Sequence, residues 1–122
     1  MFNHNRGLWG YTGIGADGGP LTIQSTGMGG PSAAIVVAEL IELGARRFVR
    51  VGTCGAVAPS LALGDLVIAT RALAEDGTSR ALGAGDSIAS SGGLTESLVR
   101  AAGERAVAGT VVSSDLFYDG PE

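Results

Sequence analysis

Apolar and polar residues follow two different periodicities along the first part of the chain. Residues 8–14 and 21–25 are short β-rich stretches, and the residues between them are rich in Gly and Asp. Such turn residues between two β-rich runs predict a β-hairpin. Over residues 32–43 apolar side chains recur at three- and four-residue spacings. This pattern predicts a helix with Ser32 as its N-cap and Gly44 as its stop.

The rest of the chain alternates between predicted strands and helices. Residues 47–52 and 61–69 are apolar runs that predict two strands. Residues 76–93 hold many small and polar residues, which predicts a long loop. A helix is expected at 94–103 and a last strand at 107–113. The order strand, helix, strand, strand, helix, strand predicts an α/β layered fold.

Composition narrows the class of protein. A chain of 122 residues has the length of one ordinary domain, and 45% hydrophobic with 16% charged residues is too apolar for a disordered one. Twelve acidic residues against eight basic ones, all of them arginine, exclude a strongly basic nucleic-acid binder and a polybasic membrane-surface protein. One cysteine excludes an internal disulfide framework and indicates a reducing, cytoplasmic compartment. With one histidine besides, the chain offers almost no ligands for a transition metal.

Two glycine-rich motifs need separate interpretations. Residues 13–18 match the G-x-G-x-x-G spacing of a dinucleotide-binding loop, but that motif requires a helix to begin within it, and here a strand follows. A hairpin turn explains these glycines better. Residues 27–32 do lie between a strand and a helix, where glycines let the backbone approach an anion or a sugar hydroxyl. A tight connection without a ligand explains the same loop equally well.

Arg50 is the most informative charged residue. It lies in the apolar stretch 47–52, directly before a second glycine loop at 52–56. Ligands of open α/β sheets gather at the carboxyl ends of strands, and the planar fork of a guanidinium suits a phosphate oxyanion. These points favour an anion site over an exposed arginine on an edge strand. Cys54 is interpreted as a small buried filler rather than a nucleophile, because the one histidine, His4, lies in a different segment.

Taken together, these segments resemble the nucleoside phosphorylase family, in particular its bacterial-type purine nucleoside phosphorylases and uridine phosphorylases. The resemblance rests on four segments in the family's order: NRG and GYTG at 5–7 and 10–13, STGMGGPSAAIVVAEL at 25–40, RVGTCGA at 50–56 and SSDLFY at 113–118. It implies a layered αβα fold with a mixed central sheet, in which residues 1–122 form a single partial domain cut short at both ends. The implied reaction is reversible phosphorolysis of a nucleoside to a free base and a pentose 1-phosphate. Inorganic phosphate is the co-substrate, and no cofactor or metal is required.

The resemblance also assigns roles to particular residues. Arg50 and Thr53 would bind the phosphate, and Arg6 would reach into the partner subunit's site, which implies a homo-oligomer built from dimers. The residues expected to contact the nucleoside are Met28 against the ribose, and Gly55, Phe117 and Tyr118 on the side of the base. The family's carboxylates that bind the ribose hydroxyls and protonate the leaving base have no counterpart in this sequence, which leaves the catalytic acid unknown. We therefore expect little or no turnover from these 122 residues alone.

The preferred base depends on the residues after Tyr118. Uridine phosphorylases read uracil there with a glutamine and an arginine, whereas Pro121 stands where the glutamine would fall and cannot offer an amide side chain. This difference favours a purine nucleoside, with uridine as the alternative. Two other functions stay open. One is a nucleosidase of the same fold, which would use water in place of phosphate, and the other is a non-catalytic module that binds nucleosides or phosphate.

Overall fold

The computed structural model describes residues 5–116 and residue 118. The chain divides into two compact units, Met1–Phe48 and Val49–Glu122. The first unit contains strands β1 (Gly10–Ile14) and β2 (Pro20–Gln24) and helix α1 (Gly29–Glu42). The second contains strand β3 (Leu66–Glu75), helix α2 (Gly77–Ala81), strand β4 (Ser87–Ala89), helix α3 (Gly92–Ala102) and strand β5 (Ala106–Ser114). Short 3-10 helices cover Asn5–Gly7 and Gly103–Arg105. This mixed content agrees with the predicted α/β class.

The first unit begins with the predicted β-hairpin. Strands β1 and β2 are antiparallel, with Tyr11 opposite Ile23. The connecting turn is closed by a hydrogen bond from the Gly15 N–H to the Gly19 carbonyl (2.7 Å), and the Gly19 N–H donates to Asp17 Oδ1 (3.0 Å). The interpretation of the G-x-G-x-x-G motif as a hairpin turn is therefore confirmed, because a strand and not a helix follows its last glycine.

Helix α1 follows the hairpin but begins earlier than predicted. Its N-cap is Met28, so the expectation of an N-cap at Ser32 is wrong. The Ser32 hydroxyl instead donates to the Thr26 carbonyl (2.6 Å). Pro31 takes a place in the first turn, where its missing N–H leaves no intrahelical bond unmade. The end of the helix is as predicted, since Gly44 has a left-handed φ of 101° and terminates it.

The second unit contains a mixed three-stranded sheet with strand order β4-β3-β5. Strand β3 runs antiparallel to β4 and parallel to β5. The parallel register pairs Leu66 with Ala106 at one end and Glu75 with Ser114 at the other. Helix α3 packs on both β3 and β5. This arrangement confirms the predicted mixed sheet, and it brings the carboxyl ends of β3 and β5 side by side.

Two elements of this unit differ in extent from their predictions. The strand expected at 61–69 begins late, because the Asp65 N–H donates to the Ala62 carbonyl (3.2 Å) and the Asp65 carboxylate accepts the Ala62 N–H (2.8 Å). These two bonds form a turn ahead of the strand. The loop expected at 76–93 holds helix α2 and strand β4, since its first residue caps α2 and β4 pairs with β3. The helix and strand predicted after that loop are confirmed as α3 and β5.

The strand predicted at 47–52 is not formed. These residues have no regular secondary structure. The ladders of the described residues in the second unit join β3, β4 and β5 to one another. Because a β-strand is stabilised by hydrogen bonds to a neighbouring strand, an apolar run without such a neighbour stays irregular. The apolar pattern identified a strand-like composition but not the partner that a strand needs.

Few apolar side chains are buried among the described residues. Val36 in α1 and Ala74 in β3 are the buried ones, at 7% and 8% exposure. Tyr11, Leu21 and Ile23 share one face of the hairpin by the alternation of its strands, and all three are exposed. This hairpin face is therefore apolar and uncovered. Within the residues described, no helix has the length and apolar character needed to cross a membrane.

Candidate functional site

The segment predicted to bind phosphate forms the irregular start of the second unit. Arg50 is exposed, and its guanidinium lies against the backbone of Gly52. A Cβ built on Gly52 would lie 3.1 Å from Arg50 Nη2 and 3.4 Å from Nη1. Among residues 5–116 and 118, no carboxylate forms an ion pair with Arg50. A guanidinium without a carboxylate partner keeps its fork of donors available for a bidentate bond to an oxyanion.

Thr53 and Gly55 continue the same exposed loop. Neither backbone conformation nor crowding within the chain explains why residue 55 is glycine. It is not one of the glycines with positive φ, and a Cβ built on it would meet no atom within 4 Å. A glycine in open space lets a group from outside the chain approach the backbone closely. Thr53 adds a hydroxyl that can donate to such a group or accept from it.

Two of the predicted site residues lie in the first unit. Arg6 is exposed in the turn Asn5–Gly7 with φ 54° and ψ 25°, a left-handed conformation that costs a residue with a side chain about 1–2 kcal/mol. Among the described residues it is the only non-glycine residue with positive φ. Met28 is 93% exposed at the N-cap of α1, between Gly27 and Gly29, which both have positive φ. Both side chains are therefore exposed and lie beside residues with left-handed backbone conformations or in one themselves.

The residues predicted to flank the base follow strand β5. Tyr118 is 83% exposed, and Phe117 lies outside the described residues. Between them and the strand, the Leu116 N–H donates to Ser114 Oγ (3.3 Å). The first unit therefore carries Arg6 and Met28, and the second carries Arg50, Thr53, Gly55 and Tyr118. The roles of all of these residues stay predictions.

Two carboxylates that sequence reasoning did not single out lie at the carboxyl ends of β3 and β5. Asp76 caps α2: its Oδ1 accepts the Ser79 N–H (2.8 Å), and the residue is 5% exposed. Hydrogen bonds from the backbone and then the side chain of Ser79 lower the pKa of Asp76 below its ordinary value. Asp115 Oδ2 accepts the Gly77 N–H (2.9 Å). The sequence feature that could have identified Asp76 as a helix N-cap is an Asp three residues before a Ser. This typical N-cap spacing lies inside a stretch interpreted as loop.

The described surface also has a shallow hollow on the hairpin, with a volume of about 230 Å³. Its lining is mostly apolar and contains no charged residue. Two lining side chains carry a hydroxyl, Tyr11 and Thr12, and that of Thr12 is hydrogen-bonded to the hydroxyl of Thr22 (3.0 Å). The hollow therefore offers no cationic side chain to an anion such as phosphate, and none of the predicted site residues lines it. The lining residues are Tyr11, Thr12, Gly13, Ile14, Leu21 and Ile23.

Cys54 lies between the predicted phosphate-binding and base-side residues of the loop. It is exposed, so the prediction of a buried filler is wrong, because the loop around it lies open. Among the described residues, no group of three or more His, Cys, Asp or Glu side chains is placed to hold a metal ion. The chemistry of the described loop therefore comes from a guanidinium, a hydroxyl and backbone groups.

The mixed sheet, the two glycine loops and the exposed arginine before the second loop define an α/β protein with groups suited to an oxyanion ligand. The family model described as the phosphorylase superfamily matches residues 1–122, and the chain belongs to this family. The resemblance inferred from the four sequence segments is thereby confirmed at the level of the family.

Relatives of known activity include phosphorylases of two substrate classes. The chain is 45% identical over 108 residues to a guanosine phosphorylase of Halorubrum lacusprofundi, a match that covers 84% of the chain and 44% of that protein. It is 51% identical over 77 residues to a uridine phosphorylase of Treponema pallidum, covering 63% of the chain and 30% of that protein. It is 41% identical over 110 residues to a uridine phosphorylase of Escherichia coli, covering 87% and 44%. The chain thus spans less than half the length of these relatives.

Proposed function

We propose that the chain acts in the phosphorolysis of a nucleoside, which yields a free base and a pentose 1-phosphate, and that a purine nucleoside is the preferred substrate. The observation that carries the proposal is the placement of the Arg50 guanidinium over Gly52, exposed and without a carboxylate partner among the described residues. Hydrolysis by water needs no cationic clamp, whereas a phosphate nucleophile does. Membership of the phosphorylase superfamily supports the same reaction class.

The reaction places definite demands on the loop that starts at Arg50. An oxygen of inorganic phosphate bonds to the anomeric carbon while the glycosidic C–N bond breaks, and the electron pair of that bond leaves with the base, which takes up a proton. Arg50 and Thr53 hold the phosphate oxygens in this scheme, so that the nucleophile is positioned and its charge is balanced. The open space at Gly55 lets the base approach the backbone. The scheme uses no organic cofactor or metal.

The preference for a purine rests on the sequence that follows Tyr118. Pro121 offers no amide for reading a pyrimidine edge. The similarity to a guanosine phosphorylase supports this choice, while the similarity to uridine phosphorylases makes uridine the alternative substrate. A comparison of guanosine, inosine and uridine as substrates or ligands under one set of conditions decides between them.

Assembly and location complete the proposal. Arg6 is exposed and held in a left-handed conformation by a short turn, which suits a side chain that reaches into a neighbouring subunit's site. We propose a homo-oligomer on this ground, with its mass in solution as the test. The single cysteine and the acidic net charge of −4 support a cytoplasmic location without a nucleic-acid or membrane partner.

Phosphate binding is the direct test of the proposal, and it requires no turnover. Calorimetric titration of the 122-residue chain with inorganic phosphate should give saturable binding. The Arg50→Gln variant should bind at least about tenfold more weakly, because it loses charge-assisted hydrogen bonds. Arg47→Gln is the matched control, since Arg47 is also exposed and has no assigned role. Equal losses in the two variants would show a general effect of charge, and the absence of any saturable binding would overturn the proposal.

Turnover separates the remaining functions. Release of free base from guanosine, inosine and uridine is followed by chromatography with and without phosphate. We expect little or no release by this chain alone, and any release should require phosphate. A rate that is indifferent to phosphate would instead identify a nucleosidase. Saturable nucleoside and phosphate binding without turnover, even after complementing segments of a phosphorylase-family protein are added, would identify a non-catalytic binding module.

A further inference from the structure

Strands β3 and β5 end side by side, and a hydrogen bond ties the residues that follow them. The parallel register pairs Glu75 with Ser114 as the last residues of the two strands. Directly beyond them, the Gly77 N–H donates to Asp115 Oδ2 at 2.9 Å, across 38 positions of sequence. This bond joins the N-terminus of α2 to the backbone that leaves β5. It therefore links two segments that the sheet ladder itself no longer holds together.

The donor side of this bond is held firmly. Asp76 is 5% exposed, has an extended backbone and accepts the Ser79 N–H through Oδ1, so it fixes the first turn of α2. Gly77 is the first residue of that helix, where a backbone N–H has no intrahelical acceptor. The carboxylate of Asp115 supplies the missing acceptor. A Cβ built on Gly77 would lie 3.4 Å from Asp115 Oδ2, so the carboxylate rests directly against the Gly77 backbone.

The acceptor of this bond, Asp115, directly precedes residues 116–118, the segment predicted to flank the base. Asp115 follows the last residue of β5, and Leu116 and Tyr118 come directly after it. We propose that Asp115 is a positioning residue: its bond to the Gly77 N–H fixes the direction in which the backbone leaves β5 and thereby places the segment that contacts the base. This role rests on the proposed function, since the segment matters for a base only if the chain binds a nucleoside.

The proposal requires an acceptor at residue 115 rather than a negative charge. Asn presents an amide oxygen in place of Asp115 Oδ2 and should keep the bond, whereas Ala cannot accept it. The donor can also be removed by Gly77→Pro, whose ring carbon takes the place of the amide hydrogen and displaces the Asp115 carboxylate. Pro at position 77 lacks the N–H, is tolerated at the first position of a helix, and follows Asp76, whose φ of −109° and ψ of 152° suit a residue before proline.

Amide signals of the full chain test the hydrogen bond between Asp115 and Gly77 without any ligand. In the Asp115→Ala variant we expect faster hydrogen exchange at the Gly77 amide and shifted Leu116 and Tyr118 amide resonances, while Asp115→Asn should resemble the wild type. Asp86→Ala is the control, because Asp86 lies in the exposed bend before β4. Unchanged Gly77, Leu116 and Tyr118 signals in Asp115→Ala would overturn the proposal.

Ligand affinities then test the positioning role itself. Asp115→Ala and Gly77→Pro should each weaken guanosine binding by about three- to tenfold and leave phosphate binding unchanged, as expected for one lost hydrogen bond. The double variant should lose no more than either single one, because both remove the same bond. Equal losses for guanosine and phosphate, additive losses, or failure of Asp115→Asn to restore guanosine affinity would overturn the role. A wild-type chain that binds neither guanosine nor phosphate would overturn the proposed function. The amide signals would still show whether the Asp115–Gly77 hydrogen bond is formed.

Discussion

The guanidinium of Arg50 lies so close to the backbone of Gly52 that a Cβ on residue 52 would come within 3.1 Å of Nη2. That distance is tighter than an ordinary contact, and the neighbour that must yield is the far end of a flexible side chain. The absence of a side chain at Gly52 therefore lets the guanidinium rest over the loop. The residue type at position 52 therefore determines where the Arg50 guanidinium can lie.

Replacing Gly52 with Ala should move the Arg50 guanidinium without harming the fold. We expect the free energy of unfolding to change by less than about 0.5 kcal/mol, since the site is exposed. Phosphate affinity in calorimetric titration should fall by several-fold. Gly85→Ala is the matched control, because a Cβ there meets no atom within 4 Å and Gly85 has no positive φ. Unchanged phosphate affinity in Gly52→Ala would show that the resting position of the guanidinium is irrelevant to binding.

Gly55 gives the complementary case, in which the chain itself leaves room for a side chain. Its added Cβ meets nothing within 4 Å, so Gly55→Ala should leave the melting temperature unchanged. If the base approaches the backbone here, the new methyl group should weaken guanosine binding while phosphate binding stays as in the wild type. Fluorescence or calorimetric titration with both ligands measures the difference. A variant that binds guanosine as well as the wild type would remove Gly55 from the base-side residues.

The elements that could be predicted from sequence are those whose signals are local. The hairpin turn and the end of α1 at Gly44 depend on glycine and turn residues within a few positions. The strand predicted at 47–52 failed because pairing depends on a distant neighbour that an apolar pattern does not reveal. In the same way the motif identified Arg50 and Gly55, but their relation to the surrounding backbone required coordinates. The bond between Asp115 and Gly77 spans two elements and has no sequence signature.

Because of Asp76, the stability of the second unit should depend on pH in the acidic range. Hydrogen bonds from Ser79 lower the pKa of Asp76 below its ordinary value of 3.8, so the folded state binds this proton more weakly than the unfolded state. The resulting stabilisation is fully present above that ordinary value and is lost as the pH falls through the lower folded pKa. Stability should therefore rise with pH across this range.

The Asp76→Asn variant separates titration from capping. Asn is as good an N-cap as Asp but does not titrate in this range. We expect the variant to show a flatter dependence of the urea midpoint on pH below about pH 5, measured by circular dichroism. Asp86→Asn removes one carboxylate from an exposed bend and serves as the control. Parallel pH profiles for the wild type and Asp76→Asn would contradict the assigned effect of the Ser79 bonds.

Gly27 should tolerate substitution poorly. Its φ of +73° is left-handed, and a Cβ would lie 2.5 Å from Ser32 Oγ and 3.3 Å from Leu8 Cδ2. Gly27→Ala would therefore combine backbone strain with displacement of the Ser32 hydroxyl from the Thr26 carbonyl, which it now contacts at 2.6 Å. We expect a loss of about 2–3 kcal/mol in the free energy of unfolding.

Urea unfolding followed by the fluorescence of Trp9, which lies in the same unit, measures this loss. The control is Gly13→Ala, since Gly13 has no positive φ and an added Cβ there meets no atom within 4 Å. Its effect should stay below about 0.5 kcal/mol. Because Gly27 also precedes Met28, the predicted ribose contact, a stable Gly27→Ala variant would show that this loop repacks easily. The conformation of the loop would then impose no constraint on where the Met28 side chain is presented.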